Sequence, residues 1–245
     1  MQAATAPTGP YEGKAKRVTL RPDGLVELRY KDDATAFNGQ KHALFADKGV
    51  LNSQISEMLF QYMEEHGIPT HSRGRLDERT LLAVPAKMFA LEAVVRFKIA
   101  GSLRKRTGLP DGTPCSPPIV EFYYKRDDLG DPLLNDAHIA LLKLATPDEL
   151  ATLTALSLRV AGLLHEVCAR GGIDLIDLKF EFGRIPNSDG SSTIVLADEI
   201  SPDTCRFRDA ATGQSLDKDR FREDTGDLLA GYRESLARLR KGLGK

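Results

Sequence analysis

The sequence predicts an α+β fold with two domains, a β-rich N-terminal domain and a larger α+β domain, separated by a cleft. The first observation is a set of short strand-like segments that dominates residues 11–45 and returns between residues 79 and 100. The second is one helix-like segment among these strands, and the third is a pair of amphipathic helix patterns on either side of an acidic hairpin. We divide the chain into a flexible tail at 1–10 and domains at 11–88 and 89–245.

Composition and charge exclude several classes of protein. The chain has 245 residues, 41% hydrophobic and 28% charged, which is ordinary for a soluble globular protein. A formal net charge of -1 gives no global field for a nucleic acid or an anionic membrane. No continuous apolar run approaches the roughly 18 residues of a membrane span. The three cysteines form no zinc or redox pair and no signal pattern opens the chain, so we predict a cytoplasmic location.

The N-terminal part is predicted as a β-rich layer with one helix packed on it. Five segments have strand character: “AKRVTL”, “LVELRY”, “TAFNGQKHALF”, “RTLLAV” and “LEAVVRFKIA”. Between the third and the fourth, apolar residues recur at helical spacing from Leu51 to Met63. Gly67 followed by Pro69 predicts the end of this helix.

The second half begins with a long segment rich in Pro, Gly and Asp, residues 107–137, around one short strand, “IVEFYYK”. Long loops of this kind are often functional. Thr146-Pro147-Asp148-Glu149 is a capping box with proline at the first helical position, and Gly171-Gly172 ends the helix that it starts. A last helix is predicted from about Asp217 to Arg240.

An acidic hairpin is predicted between these two helices. Residues 177–182 alternate polar and apolar, and Asp189-Gly190 is a turn signal. Symmetric pairing about that turn sets Glu181 opposite Asp198, although like charges directly opposite each other destabilise a sheet. Mg²⁺, which takes carboxylate and phosphate oxygens as ligands, removes that penalty. From these residues alone, a solvated strand face balanced by Lys179 is the simpler explanation, and a longer turn shifts the pairing.

Basic residues near the N-terminus suggest a place for a polyphosphate. In “YEGKAKRV”, Lys14 and Lys16 lie two residues apart at the entry to a strand, so both ammonium groups are expected on the same side. Gly13 lets the backbone approach a ligand closely. A strand edge kept soluble by lysines is the simpler explanation of this stretch taken alone.

Arginines in the second half suggest another anion site. Arg96 lies in a strand of Val and Phe, where a guanidinium requires a carboxylate or phosphate partner. The loop at Gly101-Ser102 suits a phosphate monoester, with a solvated surface loop as the equal alternative. Arg206 and Arg208 share a strand face after the hairpin. Arg220 lies at the start of the last helix, where a cation opposes the helix dipole and an acidic neighbour or anionic ligand is expected.

Familiar catalytic motifs do not occur in this sequence. GxxxxGK[ST], GxGxxG, HExxH and GxSxG are all missing, and the five histidines show no ligand spacing, so none is assigned to catalysis. Two carboxylates for a metal, lysines for a polyphosphate and arginines for a second anion nevertheless describe one site. Phosphoryl transfer needs little else, because its catalysis is mostly positioning and charge neutralisation.

Eight blocks occur in the order known from one enzyme family. They are “YEGKAKRV”, “DDATAFNGQK”, “KGVLNSQISE”, “VVRFKIAGSLRKRTG”, “SPPIVEFYYK”, “IDLIDLKFEFG”, “LADEISPDTCR” and “LDKDRFR”. Through them the chain resembles the SAICAR synthetases, the phosphoribosylaminoimidazole-succinocarboxamide synthases of de novo purine (IMP) biosynthesis. The resemblance spans nearly the whole chain. It implies a two-domain fold similar to ATP-grasp and protein-kinase-like architectures, with ATP in the cleft.

The resemblance implies an ATP- and Mg²⁺-dependent ligase that joins L-aspartate to a carboxylated aminoimidazole ribonucleotide and releases ADP and phosphate. By position, the ATP side comprises Lys14, Lys16, Lys125, Glu181 and Asp198. The two acids of that set are the expected Mg²⁺ ligands. The ribonucleotide side comprises Arg96, Ser102, Asp177, Lys179, Arg206 and Arg220. Lys14, Asp177 and Lys179 are the expected catalytic residues.

One departure from the family lies on the adenine side. Many members carry a lysine pair followed closely by Asp-Met, whereas this chain has “LLAVPAKMFALE”. Val84, Lys87 and Met88 match that segment and are expected to contact ATP. Pro85 replaces an expected lysine and has no N–H, so a contact there must use its carbonyl or come from a neighbouring residue.

The resemblance also implies small-molecule substrates, no nucleic-acid or membrane partner, and a homo-oligomer, with a dimer expected first. Two other classes of protein remain open. A small-molecule kinase of related fold phosphorylates a hydroxyl acceptor without ligating aspartate. A nucleotide-binding regulatory module binds Mg–ATP without turnover, although a sensor has no need for a second anion site.

Overall fold

The computed structural model describes residues 11–36 and 40–245, and the predicted flexible tail at 1–10 lies outside these ranges. The strands are β1 (Tyr11–Glu12), β2 (Lys16–Leu20), β3 (Val26–Tyr30), β4 (Asp33–Ala36), β5 (Lys41–Leu44), β6 (Ser72–Asp77), β7 (Thr80–Ala83), β8 (Lys87–Lys98), β9 (Pro114–Tyr124), β10 (Leu133–Leu134), β11 (Ile173–Pro186), β12 (Ser192–Ala197) and β13 (Cys205–Asp209). The helices are α1 (Lys48–Glu65), α2 (Gly101–Thr107), α3 (Asp136–Leu141), α4 (Pro147–Gly171), α5 (Asp219–Arg222) and α6 (Leu228–Gly242). The α+β class predicted from the sequence is confirmed.

The N-terminal sheet is antiparallel, in the order β1-β2-β3-β7-β6, and α1 packs on it. Ile55, Leu59 and Met63 recur at helical spacing and are fully buried in this contact. Gly49 brings the first turn of α1 against the sheet, because a Cβ there would lie 2.6 Å from the carbonyl oxygen of Tyr30. The predicted helix is therefore confirmed, and Gly49 explains how its first turn comes so close to the sheet.

The second sheet has the order β10-β9-β8-β11-β12 and is centred on β11. Strand β8 pairs along one edge of β11, whereas β13 and then β12 pair along the other. Helix α4 covers this sheet and contacts α6. The predicted capping box is confirmed, since Thr146 and Glu149 bond each other's backbone N–H groups. Helix α4 is long and apolar enough to cross a membrane by length and composition alone, but its buried stripe packs on β11 and α6.

The two sheets divide between the end of β7 at Ala83 and the start of β8 at Lys87. The predicted domain division after residue 88 thus falls within β8, after the second residue of that strand. Backbone hydrogen bonds also join the two halves at Leu196. The N–H of Leu196 donates to the carbonyl of Pro69 at 2.9 Å, and the N–H of His71 donates back to the carbonyl of Leu196 at 3.0 Å.

Several local predictions were wrong in detail. “TAFNGQKHALF” overlaps two paired strands, β4 and β5, rather than forming one, and its residues 37–39 lie outside the described ranges. Strand β6 was missed. The loop predicted after β8 begins with helix α2, whose Leu, Arg and Lys residues are good helix formers. The single last helix is broken into α5 and α6, because Gly226 has a φ of 150° and the Asp227 side chain caps the N–H groups of the new helix.

Candidate active site

A cavity of about 590 Å³ opens between the two sheets. Residues 13–16 and strand β4 form the N-terminal side of its wall, and residues of β8, β11 and the segment 198–206 form the other side. This volume is in the usual range for small-molecule sites. The cavity collects most of the predicted site residues: Lys14, Lys16, Arg96, Ser102, Lys125, Asp177, Lys179, Glu181, Asp198 and Arg206.

Glu181 and Asp198 both line this cavity, but the predicted pairing between them was wrong. Glu181 pairs with Ala197, and Asp198 is the first residue after β12. The turn is longer than the predicted Asp189-Gly190 pair, because β11 ends at Pro186 and β12 begins only at Ser192. A shift of one residue normally moves a side chain to the other face of a sheet. Asp198 leaves the strand with a φ of 63°, and with this left-handed backbone it still lines the cavity.

Lysines hold both acids. Lys125 contacts one carboxylate oxygen of Glu181, and Lys179 lies 3.3 Å from the other. The Lys16 ammonium lies 2.6 Å from Asp198 and 2.7 Å from Glu199. Burial alone raises the pKa of Asp198, but the ammonium groups of Lys16, Lys179 and Lys125 outweigh it and lower that pKa to about 2. Asp198 is therefore a carboxylate at any physiological pH.

This end of the cavity carries an uncompensated negative charge. Three ammonium groups and four carboxylates form two sets of ion pairs on the cavity wall: Lys16 with Asp198 and Glu199, and Lys125 and Lys179 with Glu181 and Glu92. One carboxylate charge is left over, which favours a bound cation. We call these residues together the acidic cluster. Lys14 stands apart from it, in a bend before β2 rather than in the strand, and pairs at 2.8 Å with Asp127.

The arginines form a second cluster with the opposite balance. Arg96 is only 4% exposed and donates to Glu121 at 2.7 Å, Asp177 at 2.9 Å and Ser102 at 3.1 Å. Arg206 donates to Asp177 at 2.6 Å. The connected set, which we call the arginine cluster, comprises Arg96, Arg106, Arg206, Arg222, Glu121, Asp177 and Asp219. Four guanidinium groups share three carboxylates, so this end favours an anion.

Arg220 does not belong to the arginine cluster, and its side chain lies away from the cavity. Its guanidinium donates to the backbone carbonyls of Ser215 at 2.5 Å and Asp227 at 3.0 Å, and it does not line the cavity. Arg222, the last residue of α5, lines the cavity and pairs with Asp219 at 2.6 Å.

The three residues predicted on the adenine side do not line the cavity either. Lys87 and Met88 begin β8 and are exposed, and Val84 is half-buried. The Val84 N–H donates to the carbonyl of His71 at 2.8 Å. Gly183 of β11 faces this segment closely, because a Cβ on it would lie 2.7 Å from the Cβ of Ala86. The segment is thus held against His71 and Gly183, and its three predicted ATP contacts do not line the cavity.

Sequence reasoning missed a third charged group beside the cavity. Asp203 accepts from Lys48 at 2.5 Å and from the Tyr232 hydroxyl at 2.6 Å, and Lys218 lies 3.8 Å away. Burial lowers the pKa of Lys218, and this effect is greater than the opposing attraction of Asp203. The sequence shows Asp203 as the third acidic residue of “LADEISPDTCR”, but no strand or helix spacing relates it to the site.

The donor set at the acidic cluster fits a divalent cation that is shared with phosphates. In the described ranges, no group of three or more His, Cys, Asp or Glu residues is arranged to hold a metal ion by itself. Mg²⁺ is usually held by only one or two carboxylates, with water and substrate phosphates completing its coordination. Glu181 and Asp198, on one cavity wall with a surplus negative charge, match that requirement.

Comparison with known proteins identifies the family. The family model of SAICAR synthetase matches residues 10–239. The phosphoribosylaminoimidazole-succinocarboxamide synthase of Thermococcus sibiricus is 52% identical over 94% of this chain and 96% of its own length. A SAICAR synthetase solved in complex with ADP has a TM-score of 0.89 at 47% identity, covering 94% of this chain and 97% of its own. The Pyrococcus horikoshii SAICAR synthetase has a TM-score of 0.86 at 45% identity, covering 94% and 98%. The chain belongs to the SAICAR synthetase family.

Proposed function

We propose that this chain catalyses the ATP-dependent ligation of L-aspartate to 5-amino-1-(5-phosphoribosyl)imidazole-4-carboxylate. The products are the succinocarboxamide ribonucleotide SAICAR, ADP and phosphate, in purine biosynthesis. Relatives that carry the name of this activity support the proposal, as does the relative solved with ADP. The observation that carries it is the charge separation within one cavity, which offers a cation-binding end and an anion-binding end side by side.

The reaction needs both ends. A carboxylate is a poor electrophile, because attack by an amine must expel an oxide. Transfer of the γ-phosphoryl group of ATP to a carboxylate oxygen turns that oxygen into a phosphate leaving group. The aspartate amine then forms the C–N bond, the C–O bond to phosphate breaks, and the amine releases a proton. The cavity must therefore bring a triphosphate and a carboxylated ribonucleotide into contact.

The acidic cluster and its lysines are the proposed triphosphate side. Lys14, Lys16 and Lys125 line the same cavity, and their charges offset the charge that develops during phosphoryl transfer. Lys16 has two carboxylate partners, so it keeps Glu199 when Asp198 binds another cation. Glu181 and Asp198 are the proposed Mg²⁺ ligands. When bound, Mg²⁺ supplies charge neutralisation and orientation of the phosphates.

The arginine cluster is the proposed ribonucleotide side. Arg96, Ser102 and Arg206 present donors beside an excess positive charge, which suits a phosphate monoester. Asp177 of the arginine cluster and Lys179 of the acidic cluster alternate with Glu181 along one face of β11, so they lie where the two clusters meet. We propose that they face the imidazole ring and its substituents, where the carboxylate to be activated lies.

A coupled assay tests the proposal directly. ADP release is measured with all three substrates, and then with ATP, L-aspartate or the carboxylated ribonucleotide omitted in turn. Release is expected only when all three are present, with one SAICAR formed per ADP. Phosphorylation of an unrelated hydroxyl compound without aspartate would instead identify a small-molecule kinase. ATP binding without any turnover would identify a regulatory module.

We also propose a cytoplasmic homodimer that uses only these small-molecule substrates. Light scattering coupled to gel filtration measures its mass, and a mass of one chain contradicts the assembly. The domain division at residues 88 and 89 remains a prediction, supported by the separation of the two sheets between Ala83 and Lys87.

A further inference from the structure

Arg106 belongs to the arginine cluster but does not line the cavity. It lies on α2, and its side chain is one-third exposed. Its guanidinium group reaches Ser102 from outside the cavity, because Nη1 donates to the Ser102 hydroxyl at 3.3 Å. The same nitrogen donates to the Tyr123 hydroxyl at 2.8 Å, and Nη2 contacts Glu121. Arg106 thus touches a residue of the proposed phosphate site without facing the substrate itself.

Arg96 donates to the same two hydroxyl groups. Its Nη2 lies 3.1 Å from the Ser102 oxygen and 3.0 Å from the Tyr123 oxygen. A terminal guanidinium nitrogen carries two hydrogens, so each arginine serves both oxygens with one nitrogen. Two arginines and two hydroxyl groups therefore form a closed set of four hydrogen bonds beside the cavity.

This set decides where each hydroxyl hydrogen points. A hydroxyl group has two acceptor lone pairs and one hydrogen. Arg96 and Arg106 occupy both lone pairs of each oxygen, so each hydroxyl can act further only as a donor. The Tyr123 hydroxyl donates to Glu121 at 2.8 Å. Within residues 11–36 and 40–245 no acceptor faces the Ser102 hydrogen, and Ser102 lines the cavity. That hydrogen is left for an acceptor in the cavity.

A phosphate group is the acceptor that fits this place. Its oxygens only accept hydrogen bonds when it is fully ionised, and a hydrogen bond to a charged group is stronger than one between neutral groups. Gly101 brings a second donor to the same point. It has a φ of 50°, and a Cβ on it would lie 3.0 Å from Nη2 of Arg206, so that guanidinium lies against the backbone next to Ser102.

We propose that Arg106 is a positioning residue for the ribonucleotide phosphate: together with Arg96 it occupies the acceptor sites of the Ser102 hydroxyl and so directs the hydroxyl hydrogen to the phosphate. Without Arg106 one lone pair of this hydroxyl is free, and the hydrogen is no longer restricted to the cavity side. This inference rests on the proposed function, because it requires the phosphate of the ribonucleotide to lie at Ser102.

A double-mutant cycle tests whether Arg106 acts through Ser102. Calorimetric titration with 5-amino-1-(5-phosphoribosyl)imidazole-4-carboxylate gives the dissociation constant without turnover. Ser102→Ala removes a hydrogen bond to a charged group and is expected to raise this constant about tenfold. Arg106→Met is expected to raise it about fivefold in the wild type. In the Ser102→Ala background, Arg106→Met is expected to add less than about twofold, because the hydroxyl that it orients is absent.

Two further variants separate orientation of the hydroxyl from charge. Arg106→Lys keeps the positive charge but loses the planar fork that serves both hydroxyl groups and Glu121, so it is expected to bind the ribonucleotide more weakly than the wild type. Arg104→Met is the matched control. Arg104 is exposed on the same helix, and its side chain makes no hydrogen bond or ion pair with the part of the chain that the structure describes. Its affinity is expected to equal that of the wild type.

Titration with ADP reports on the rest of the site and is expected to be unchanged in all these variants. An equal factor for Arg106→Met with and without the Ser102 hydroxyl would overturn the positioning role, because Arg106 would then act by its charge. Wild-type affinity in Arg106→Met or Arg106→Lys, or an equal loss in Arg104→Met or in ADP binding, would also overturn it. Failure of the wild type to bind the ribonucleotide would overturn the proposed function and, with it, this inference.

Discussion

Glu181→Gln changes the charge of the acidic cluster while leaving the shape of the site almost intact. The side chain is 8% exposed and is held by Lys125 and Lys179. Replacing the carboxylate with an amide brings three ammonium groups and three carboxylates into balance, so the surplus negative charge disappears. The site then loses a charged carboxylate ligand for Mg²⁺ and the surplus negative charge that attracts the ion.

The cost to folding is expected to be small, because both lysines retain alternatives. Lys179 keeps Glu92 at 2.9 Å, and the Lys125 side chain is one-third exposed, so water replaces part of its lost partner. The cost to metal binding is larger. Loss of a group that only supports a metal ligand weakens binding 10- to 100-fold, so loss of a ligand itself is expected to cost about 100-fold or about 2.7 kcal/mol.

The assay is a Mg²⁺ titration of ADP release at fixed ATP, ribonucleotide and aspartate. The half-saturating Mg²⁺ concentration is expected to rise about 100-fold in Glu181→Gln, with little change in the KM for the ribonucleotide. Glu149→Gln is the matched control. Glu149 lies on α4, outside the cavity, and pairs with Arg184, which is on the same strand as Glu181. An unchanged Mg²⁺ requirement in Glu181→Gln would refute the proposed cation site.

Three further predictions test other parts of the molecule. Arg96→Lys keeps a charge for Asp177 but loses the fork that reaches Glu121 and Ser102, so the KM for the ribonucleotide is expected to rise about tenfold and that for ATP to stay constant; equal changes contradict the assignment. The pKa of Asp198 falls from 3.8 in the unfolded chain to about 2, so its contribution of about 2 kcal/mol is present above about pH 4 and lost as the pH falls through about 2. In urea unfolding, the difference in the free energy of unfolding between wild type and Asp198→Asn is therefore expected to shrink over that pH interval. A constant difference excludes this linkage. Gly49→Ala is expected to destabilise by about 1–3 kcal/mol through contact with the Tyr30 carbonyl, whereas Gly162→Ala, in open space on α4, stabilises by up to about 1 kcal/mol; similar effects at both sites contradict the packing argument.

The elements that could be predicted from the sequence are those fixed by neighbours along the chain. The cap of α4 depends on Thr146 and Glu149, three residues apart, so its signal is complete in four letters. The break between α5 and α6 also carried a local signal, Gly226 followed by the N-cap Asp227. The apolar residues on both sides of this break continue one helical spacing, so the spacing predicts a single helix despite the local signal.

The hairpin shows how a correct site follows from an incorrect register. Alternation in β11 placed Asp177, Lys179 and Glu181 on one face correctly, because that pattern belongs to a single strand. Pairing with β12 depends on the length of the connection, and residues 187–191 form a longer turn than the two-residue signal suggests. Asp198 returns to the cavity only through its left-handed backbone, which the sequence does not reveal for an aspartate.

The ion-pair partners could not be predicted, because they are separated widely along the chain. Glu199 lies 183 residues from Lys16, and Glu121 reaches Arg96 only because β9 pairs antiparallel with β8. For the same reason a net charge of -1 says nothing about the site, since it sums one cluster with a surplus carboxylate and another with a surplus guanidinium. The acidic cluster has a surplus carboxylate and the arginine cluster a surplus guanidinium. Loss of the Glu181 carboxylate must therefore weaken cation binding, and loss of the Arg96 guanidinium must weaken anion binding. If Glu181→Gln and Arg96→Lys both changed the Mg²⁺ requirement, or both changed the KM for the ribonucleotide, the cavity would not have separate cation and anion sites.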